Sequence, residues 1–253
     1  APTRPALPPV PDSPVPPFVC RTEDTKSLHF SLHAVQSRMR VDRPDRLELA
    51  YTRTMMGFLA LQPAPRALAM IGLGGGSLAK FIHHELPQAF LKVVEINPHV
   101  IALREEFEVP PDSERFRVRL ADGADFVRSP PQAFDVLLVD GFDYHGQPPA
   151  LASQAFYDDC AALLSPAGVL VANLYAGDPD YERQLARIER AFAHQVLQLP
   201  DPECSNTIVF AGRQPLRARL GEARNPGLSP AAWAQVRAGV RAVQQAVAEP
   251  RGA

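Results

Sequence analysis

Two kinds of hydrophobic pattern divide the chain. Residues 28–41 alternate apolar and polar side chains with a period of two, which predicts a strand or a β-hairpin. Residues 46–61 carry apolar side chains at helical spacing and end before Pro63 and Pro65, which predicts a helix. From Ala67 onward, short apolar runs alternate with helical stretches. This alternation predicts a parallel sheet with helices on both faces.

The predicted sheet contains five successive strands. They are expected at Ala67–Ile71, Leu91–Glu95, Phe116–Leu120, Asp135–Asp140 and Val169–Asn173. Helices are expected from the turn after the first strand to about His84, near 99–107, at 153–164 and at 179–193.

The end of the sheet is predicted to differ from its beginning. Val196–Leu199 and Thr207–Ala211 are both strand-like, and only seven residues separate them. A parallel crossover needs a dozen or more residues, so the last strand is expected to run antiparallel to the strand before it. A dinucleotide-binding sheet is typically all parallel, and this feature therefore argues against NAD as the ligand.

The chain is predicted to contain four segments. Residues 1–19 hold eight prolines and almost no periodicity, which predicts a disordered or extended arm. Residues 20–62 are assigned to an N-terminal β-element with a linking helix, and 63–214 to the α/β domain. Residues 215–253 form a C-terminal helical extension, in which the helix predicted at 229–248 is expected to pack on the body or join copies of the chain.

Composition and charge exclude several classes of function. The chain has 253 residues and a net charge of −2, so it lacks the broad basic surface that nucleic acid requires. No stretch approaches 18 apolar residues, which argues against a membrane span, and the first residues lack the apolar core of a signal peptide. Three scattered cysteines, Cys20, Cys160 and Cys204, predict reduced thiols in a cytoplasmic protein.

Candidate binding residues follow the predicted strands. Ligands of an open α/β sheet bind outside the carboxyl ends of its strands, so side chains at those positions are expected to meet at one edge. The residues at those positions are Gly72–Ser77, Glu95, Asp122–Gly123, Asp140–Asp143 and Asn173.

The first strand ends in a glycine-rich turn. Gly72, Gly74, Gly75 and Gly76 allow the backbone to turn sharply and allow a ligand to approach without meeting a Cβ atom. We therefore expect these glycines to bind a ligand, although the same pattern also occurs in tight turns that bind nothing.

Two acids after the next strands indicate an adenosine-containing ligand. Glu95 lies 23 residues after Gly72 and is placed to accept hydrogen bonds from both ribose hydroxyls, or alternatively to interact with a helix N-terminus. Asp122, followed by Gly123, is placed to accept a hydrogen bond from an adenine amino group, or alternatively to form a turn. NAD and S-adenosylmethionine both contain these groups.

The loop after the fourth strand favours S-adenosylmethionine chemistry. Asp140 and Asp143 place two carboxylates three residues apart in a loop rich in glycine and proline. Hydride transfer has no use for such a pair, whereas alkyl transfer to an amine needs a base because amines are mostly protonated at pH 7. The alternative interpretation is a solvated acidic loop.

These motifs resemble those of the spermidine synthase (polyamine aminopropyltransferase) family, over about Leu28 to Gly212. The family has a glycine-rich turn, a Val-Glu-Ile-Asp segment, an Asp-Gly pair and an Asp-Ser-x-Asp-Pro-x-Gly-Pro loop. The corresponding segments here read IGLGGGSL at 71–78, VEIN at 94–97, DG at 122–123 and DGFDYHGQP at 140–148. Val35–Ser37 looks like the end of the family's N-terminal β-element. The segments FY at 156–157 and GVLV at 168–171 continue the match to the family.

The resemblance implies a fold, a reaction and a set of roles. The fold is a methyltransferase-like α/β domain, with a Rossmann-like sheet and antiparallel last strand, preceded by a small N-terminal β-element. The reaction is transfer of an aminopropyl group from decarboxylated S-adenosylmethionine to a small-molecule amine in polyamine biosynthesis, with no metal and in a homodimer. Asp140 would be the base, Asp143 would position the amine, and Gln36 would join Glu95 and Asp122 in binding the nucleoside.

Two departures from the family pattern leave alternatives open. The family's glycine turn carries an Asp that holds the donor amine, and Gly74 stands there in this chain. The family's Tyr-His-Glu helix reads Tyr51, Thr52, Arg53, and Arg53 would suit a donor carboxylate unless it is an ordinary surface arginine. The alternative functions are an S-adenosylmethionine-dependent small-molecule methyltransferase and a non-catalytic nucleoside-binding homologue.

Overall fold

The computed structural model contains a small antiparallel sheet followed by a large mixed sheet. It describes residues 14–31, 34–128, 133–143, 146–201, 205–220 and 224–249. The small sheet has the order β1-β2-β3 and consists of β1 (Phe18–Arg21), β2 (Thr25–Ser31) and β3 (Ala34–Arg40).

The N-terminal sheet confirms the predicted hairpin and corrects the end of the predicted arm. Strands β2 and β3 pair antiparallel, as the period-two pattern of residues 28–41 predicts. Strand β1 was not predicted, and it places Phe18 and Val19 in the sheet, where they pair with His29 and Leu28. Residues 1–13 of the predicted arm lie outside the described residues.

The large sheet has seven strands in the order β6-β5-β4-β7-β8-β10-β9. The five strands of this sheet that come first along the chain pair in parallel, as predicted. They are β4 (Ala67–Ile71), β5 (Phe90–Glu95), β6 (Phe116–Leu120), β7 (Phe134–Val139) and β8 (Leu164–Tyr175).

The final two strands confirm the predicted change of direction. They are β9 (Val196–Pro200) and β10 (Asn206–Gly212). Strand β10 lies between β8 and β9 and pairs antiparallel with both of them. The first residues of β10 therefore lie at the same edge of the sheet as the last residues of β8.

Helices cover both faces of the large sheet. Alternate residues of β4 enter different cores, with Leu68 and Met70 in one hydrophobic cluster and Ala69 and Ile71 in the other. The helices are α1 (Ala50–Met55), α2 (Ser77–Glu85), α3 (Pro98–Ala102), α4 (Gly123–Val127), α5 (Gln154–Leu163), α6 (Tyr181–Ala191) and α7 (Pro230–Ala248).

Three helices differ from the prediction. The helix predicted at 46–61 is α1 continued by a 3₁₀ turn at Met56–Ala60. The helix predicted near 99–107 ends earlier, at Ala102. The short helix α4 was not predicted, and its first turn is capped by Asp122, whose carboxylate accepts a hydrogen bond from the Ala124 N–H at 2.7 Å.

The C-terminal helix packs on the helix that precedes the large sheet. A Cβ atom on Gly239 would lie 2.8 Å from the Arg53 carbonyl oxygen, and one on Gly57 would lie 3.0 Å from the Gly239 carbonyl oxygen. The absence of side chains at both glycines therefore allows this close approach. Because α7 packs across the predicted boundaries at residues 62 and 214, the division of the chain there stays a prediction.

None of the helices in the part of the chain that the structure describes has the length and apolarity needed to cross a membrane.

Candidate active site

A cavity of about 700 Å³ lies at the carboxyl ends of β4, β5 and β7, beneath the N-terminal sheet. Of the residues predicted for the site, Glu95 and Asp140 line it from the large sheet, and Gln36 lines it from β3. The predicted residues Gly72, Gly74, Asp122, Gly123 and Asp143 line it as well. The sheet edge thus brings together most of the predicted site.

Gly72 is required where the glycine turn meets the loop after β7. Its φ is +92°, and a Cβ atom there would lie only 2.1 Å from the Asp140 carbonyl oxygen. The Gly72 N–H donates to the Val94 carbonyl at 2.8 Å, and the Asp140 N–H donates to the Ile71 carbonyl at 2.9 Å. A side chain at Gly72 would displace the backbone of Asp140.

The other glycines of the turn divide into two groups. Gly74 has φ +52° and lines the cavity, where a Cβ atom would have 3.7 Å to its nearest neighbour, the Cβ of Ser37. Gly75 and Gly76 do not line the cavity, and Cβ atoms there would collide with Phe107 and Val109. These two glycines serve packing beneath the turn, which the sequence pattern did not distinguish from ligand contact.

Glu95 supports the same turn from the end of β5. Its Oε2 accepts a hydrogen bond from the Leu73 N–H and its Oε1 accepts one from the Asn97 N–H, both at 2.8 Å. Burial raises the pKa of the Glu95 carboxyl, and these backbone donors oppose that rise. The backbone N–H groups of Ile96 and Gly74 lie near the same carboxylate and lower its pKa as well.

Two residues that follow β6, Asp122 and Gly123, line the cavity. The Asp122 carboxylate caps α4, and the residue also lines the cavity. A Cβ atom on Gly123 would lie 2.5 Å from a methyl group of Ile71, so only glycine lets this turn approach β4. The turn interpretation of Asp122 agrees with its cap on α4, and its contact with an adenine amino group stays a prediction.

Asp140 lies at the centre of a hydrogen-bond network. Its Oδ1 accepts from Asn173 Nδ2 at 2.9 Å, and its Oδ2 accepts from the Tyr51 hydroxyl at 3.2 Å. Burial raises the pKa of the Asp140 carboxyl above its usual value, and the bonds from Asn173 and Tyr51 oppose that rise. A carboxylate held in this way can accept a proton from a group bound in the cavity.

The network extends to a residue that the sequence analysis missed. Asn206 Nδ2 donates to Asn173 Oδ1 at 2.9 Å, and both side chains line the cavity. Asn206 begins a strand, whereas the predicted site residues follow the carboxyl ends of strands. Because β10 runs antiparallel, its first residue, Asn206, reaches the same edge, which the predicted direction of this strand would have indicated.

Asp143 lies further out, in the loop after β7. The side chain is exposed, the residue lines the cavity, and its N–H donates to the Gly146 carbonyl at 2.8 Å. The residues between Asp143 and Gly146 lie outside the described part of the chain.

Arg53 does not line the cavity, and its role as a ligand for the donor stays a prediction. Its Nη1 donates to the carbonyls of Leu47 and Glu48, at 2.9 and 3.0 Å. The guanidinium thus holds the segment before α1. Tyr51 and Thr52, on the same helix, line the cavity instead.

Three side chains of metal-binding type meet outside the cavity. They are Asp45, His84 and Glu85. Both oxygens of Glu85 accept hydrogen bonds from Ser229, one from its N–H at 2.8 Å and one from its hydroxyl at 3.0 Å. This cluster therefore anchors the start of α7.

Comparison with known proteins relates the chain to aminopropyltransferases. A family model described as the spermine/spermidine synthase domain matches residues 48–209. A polyamine aminopropyltransferase of Chromobacterium violaceum is 40% identical over 190 residues, which cover 75% of this chain and 73% of that protein. The eEF1A lysine and N-terminal methyltransferase of Bos taurus is 34% identical over 129 residues, 47% of this chain and 18% of that protein.

Solved structures share the fold. A probable spermidine synthase from Corynebacterium glutamicum superposes with a TM-score of 0.69 at 21% identity, covering 78% of this chain and 77% of that one. Human methyltransferase-like protein 13 in complex with SAH gives a TM-score of 0.59 at 25% identity, covering 81% of this chain and 95% of that one. These neighbours confirm the predicted methyltransferase-like α/β fold.

Proposed function

The chain belongs to the spermine/spermidine synthase family and is a transferase of the polyamine aminopropyltransferase kind, and we propose that decarboxylated S-adenosylmethionine is its donor and a small-molecule amine its acceptor. The observation that carries the proposal is the position of Asp140. Its carboxylate, bound by Tyr51 and Asn173, lines the same cavity as the glycine turn. A proton acceptor and a nucleoside-binding turn are the two parts that alkyl transfer from a sulfonium needs.

The nucleoside of the donor is proposed to bind at the carboxyl ends of β4, β5 and β6. The Glu95 carboxylate, at the end of β5, accepts hydrogen bonds from the ribose hydroxyls. Asp122 accepts one from the adenine amino group, and Gln36 contacts the nucleoside from the N-terminal sheet. Gly74 leaves space for the donor beside the turn, and Gly72 lets the turn approach the backbone of Asp140.

The reaction requires one proton transfer and one displacement. The acceptor arrives as an ammonium ion, and Asp140 takes one of its protons, which frees the nitrogen lone pair. The nitrogen then forms a bond to the carbon beside sulfur, and the electron pair of the breaking C–S bond goes to sulfur. Sulfur leaves as a neutral thioether, so no metal is proposed, and the cavity contributes by aligning the amine with that carbon.

Asp143 is proposed to hold the amine during this step. Its exposed carboxylate lies one loop turn further from β7 than Asp140 does. Attraction between this carboxylate and a cationic group of the acceptor would bring the reacting nitrogen to Asp140. Asp143 therefore contributes to binding of the amine more than to proton transfer.

The choice of donor is the part of the proposal that Gly74 makes testable. The chain has no acid at this position to bind the donor amine, as the resemblance implies, and the Arg53 guanidinium donates to the Leu47 carbonyl outside the cavity. Decarboxylated S-adenosylmethionine is therefore tested as the proposed donor. Ordinary S-adenosylmethionine, the donor that methyl transfer would use, is tested beside it.

Product analysis tests the proposal. The protein is incubated with each donor and a panel of diamines and polyamines, and the products are weighed by mass spectrometry, with Asp140→Asn as the control. An aminopropyl adduct formed only by the wild type supports the proposal. A methyl adduct would show a methyltransferase, and binding of methylthioadenosine without any product would show a non-catalytic homologue.

We further propose a cytoplasmic homodimer. The family supports this assembly, and the free thiols of Cys20 and Cys160 suit a reducing compartment. Light scattering coupled to size-exclusion chromatography measures the mass, and a monomeric mass would contradict the dimer.

A further inference from the structure

The side-chain amide of Asn173 lies between two groups of different chemistry. Its Nδ2 donates to Asp140 Oδ1, and its Oδ1 accepts from Asn206 Nδ2, each at 2.9 Å. A primary amide has its donors at one end and its acceptor at the other. Both bonds therefore form in only one of the two orientations that the amide can take.

Asp140 alone does not fix that orientation. An ionised carboxylate only accepts hydrogen bonds and needs the NH₂ end of Asn173, whereas a protonated carboxyl can donate its O–H to the oxygen end. If nothing held the far side of Asn173, the amide would turn to suit either form of Asp140.

Asn206 provides the missing constraint. Its NH₂ group points at the Asn173 oxygen, and turning the Asn173 amide would place two NH₂ groups against each other. The two residues come from neighbouring antiparallel strands, in which Asn206 is paired with Tyr175 and Ile208 with Asn173. The ladder of β8 and β10 therefore keeps the two side chains within hydrogen-bond distance of each other.

We propose that Asn206 is a positioning residue, which holds the Asn173 amide with its NH₂ group towards Asp140 and so keeps Asp140 as a carboxylate. This inference rests on the proposed role of Asp140 as the base. Asn206 acts through Asn173, by the hydrogen bond between the two amides.

The groups facing Asp140 come from several elements. Tyr51 belongs to α1, Asn173 to β8, and Asp143 to the loop after β7. Other titratable side chains among the described residues that line the same cavity are Glu95, Asp122 and Tyr175. The test leaves all of these groups unchanged, so a change in the titration of Asp140 reports on the two amides.

A double-mutant cycle tests the inference. The titration of Asp140 is followed by ¹³C NMR of labelled aspartate carboxyls, assigned with Asp140→Asn, in the full chain. Asn206→Ala is expected to move the titration of Asp140 up by about 0.5–1 pH unit, the effect of weakening one hydrogen bond to a carboxylate. In an Asn173→Ala background, Asn206→Ala is expected to add no further shift, because its route to Asp140 is gone.

Two further variants serve as controls. Asn206→Leu fills similar space without a donor and should give the same upward shift, so the test survives if the alanine variant does not fold. Ser205→Ala changes the exposed neighbouring side chain and should leave the titration as in the wild type. In the pH dependence of kcat, Asn206→Ala should move the midpoint of the acid limb to higher pH by the same amount. The affinity for methylthioadenosine should be retained.

The outcomes separate the two proposals. The inference is overturned if Asp140 titrates in Asn206→Ala and Asn206→Leu as it does in the wild type, or if the shift is equally large without Asn173. Absence of aminopropyl transfer by the wild type would instead contradict the proposed function, and the NMR titration would still decide whether Asn206 positions Asn173.

Discussion

The Glu95 carboxylate and the Leu73 backbone are joined by a hydrogen bond of 2.8 Å, which ties the end of β5 to the glycine turn after β4. The other Glu95 oxygen holds the Asn97 N–H, also at 2.8 Å. A residue that the sequence assigns to a ribose thus also shapes the turn beside which that ribose is proposed to bind.

Glu95→Ala is therefore expected to weaken nucleoside binding and to destabilise the chain. Loss of hydrogen bonds between a charged group and ribose should cost about 1.5–3 kcal/mol of binding free energy. The substitution also leaves the Leu73 and Asn97 N–H groups without this acceptor, so the melting temperature should fall. Titration calorimetry with methylthioadenosine and thermal unfolding measure both effects. Glu105→Ala, at an exposed position, is the control; unchanged affinity in Glu95→Ala would confine Glu95 to supporting the turn.

Asp140→Asn is expected to lower kcat by about 10²–10⁴-fold while donor binding survives. Asparagine keeps the size of the side chain but cannot take the proton of the amine, and general-base catalysis usually contributes a factor of this size. Steady-state kinetics with one active amine measure the loss. Wild-type turnover in this variant would show that Asp140 is not the base.

Asp143→Asn is expected to raise the KM for the amine more than it lowers kcat. The reason is its exposed position in the loop, where it attracts the acceptor and takes no proton. The same kinetic experiment compares it with Asp140→Asn. Equal losses of kcat in the two variants would contradict their separate roles.

Gly72→Ala is expected to be far more damaging than Gly74→Ala. Both residues have positive φ, so a side chain at either costs about 1–2 kcal/mol in backbone strain. At Gly72 the new Cβ atom would also lie 2.1 Å from the Asp140 carbonyl oxygen, whereas at Gly74 its nearest neighbour is 3.7 Å away. The free energy of unfolding measured in denaturant should fall much more for Gly72→Ala than for Gly74→Ala. Similar losses in the two variants would show that strain, and not the contact with Asp140, decides.

Glu106 is expected to stabilise the contact between the N-terminal sheet and the body in a pH-dependent way. It pairs with Arg21 at 2.9 Å and with Lys26 at 3.1 Å, and these partners lower the pKa of its carboxyl to about 2. Because the pKa is lower in the folded chain than in the unfolded one, the stabilisation is complete above about pH 4.5 and disappears as the pH falls towards 2.

Glu106→Gln should therefore lower the melting temperature at neutral pH and converge with the wild type towards pH 2. Because the pairs are partly exposed, the difference should also shrink in high salt. Thermal unfolding across this pH range measures it, with Glu105→Gln as the control. A difference that does not change with pH would assign the effect of Glu106 to packing.

Removal of residues 14–17 is expected to weaken nucleoside binding. Pro14 and Val15 line the cavity, and the Val15 carbonyl accepts a hydrogen bond from Asn97 Nδ2 at 2.9 Å. Loss of one such bond and its contacts should lower the affinity roughly two- to tenfold. Calorimetry compares a chain beginning at Phe18 with one beginning at Pro14, and equal affinities would show that the segment is dispensable, as the proline content by itself suggests.

Much of the fold could be predicted because its signals are local. A run such as Phe116–Leu120 has the strand pattern within its own residues, and the seven residues between the last two predicted strands are too few for a parallel crossover. Strand β1 was missed because it directly follows the proline-rich run, and helix α4 was missed because its five residues make little more than one helical turn.

The sequence by itself determined which acids follow the strands, and therefore that Glu95, Asp122 and Asp140 share one edge. Only the tertiary structure decided which neighbours Asp140 has, because Tyr51 lies 89 residues before it and Asn173 lies 33 residues after it. The same holds for Arg53, whose guanidinium turns to backbone carbonyls five and six residues earlier instead of to the cavity. Periodicity and connection length act along the chain, whereas the partner of a polar side chain depends on packing between distant segments, where burial makes an unmet hydrogen bond costly.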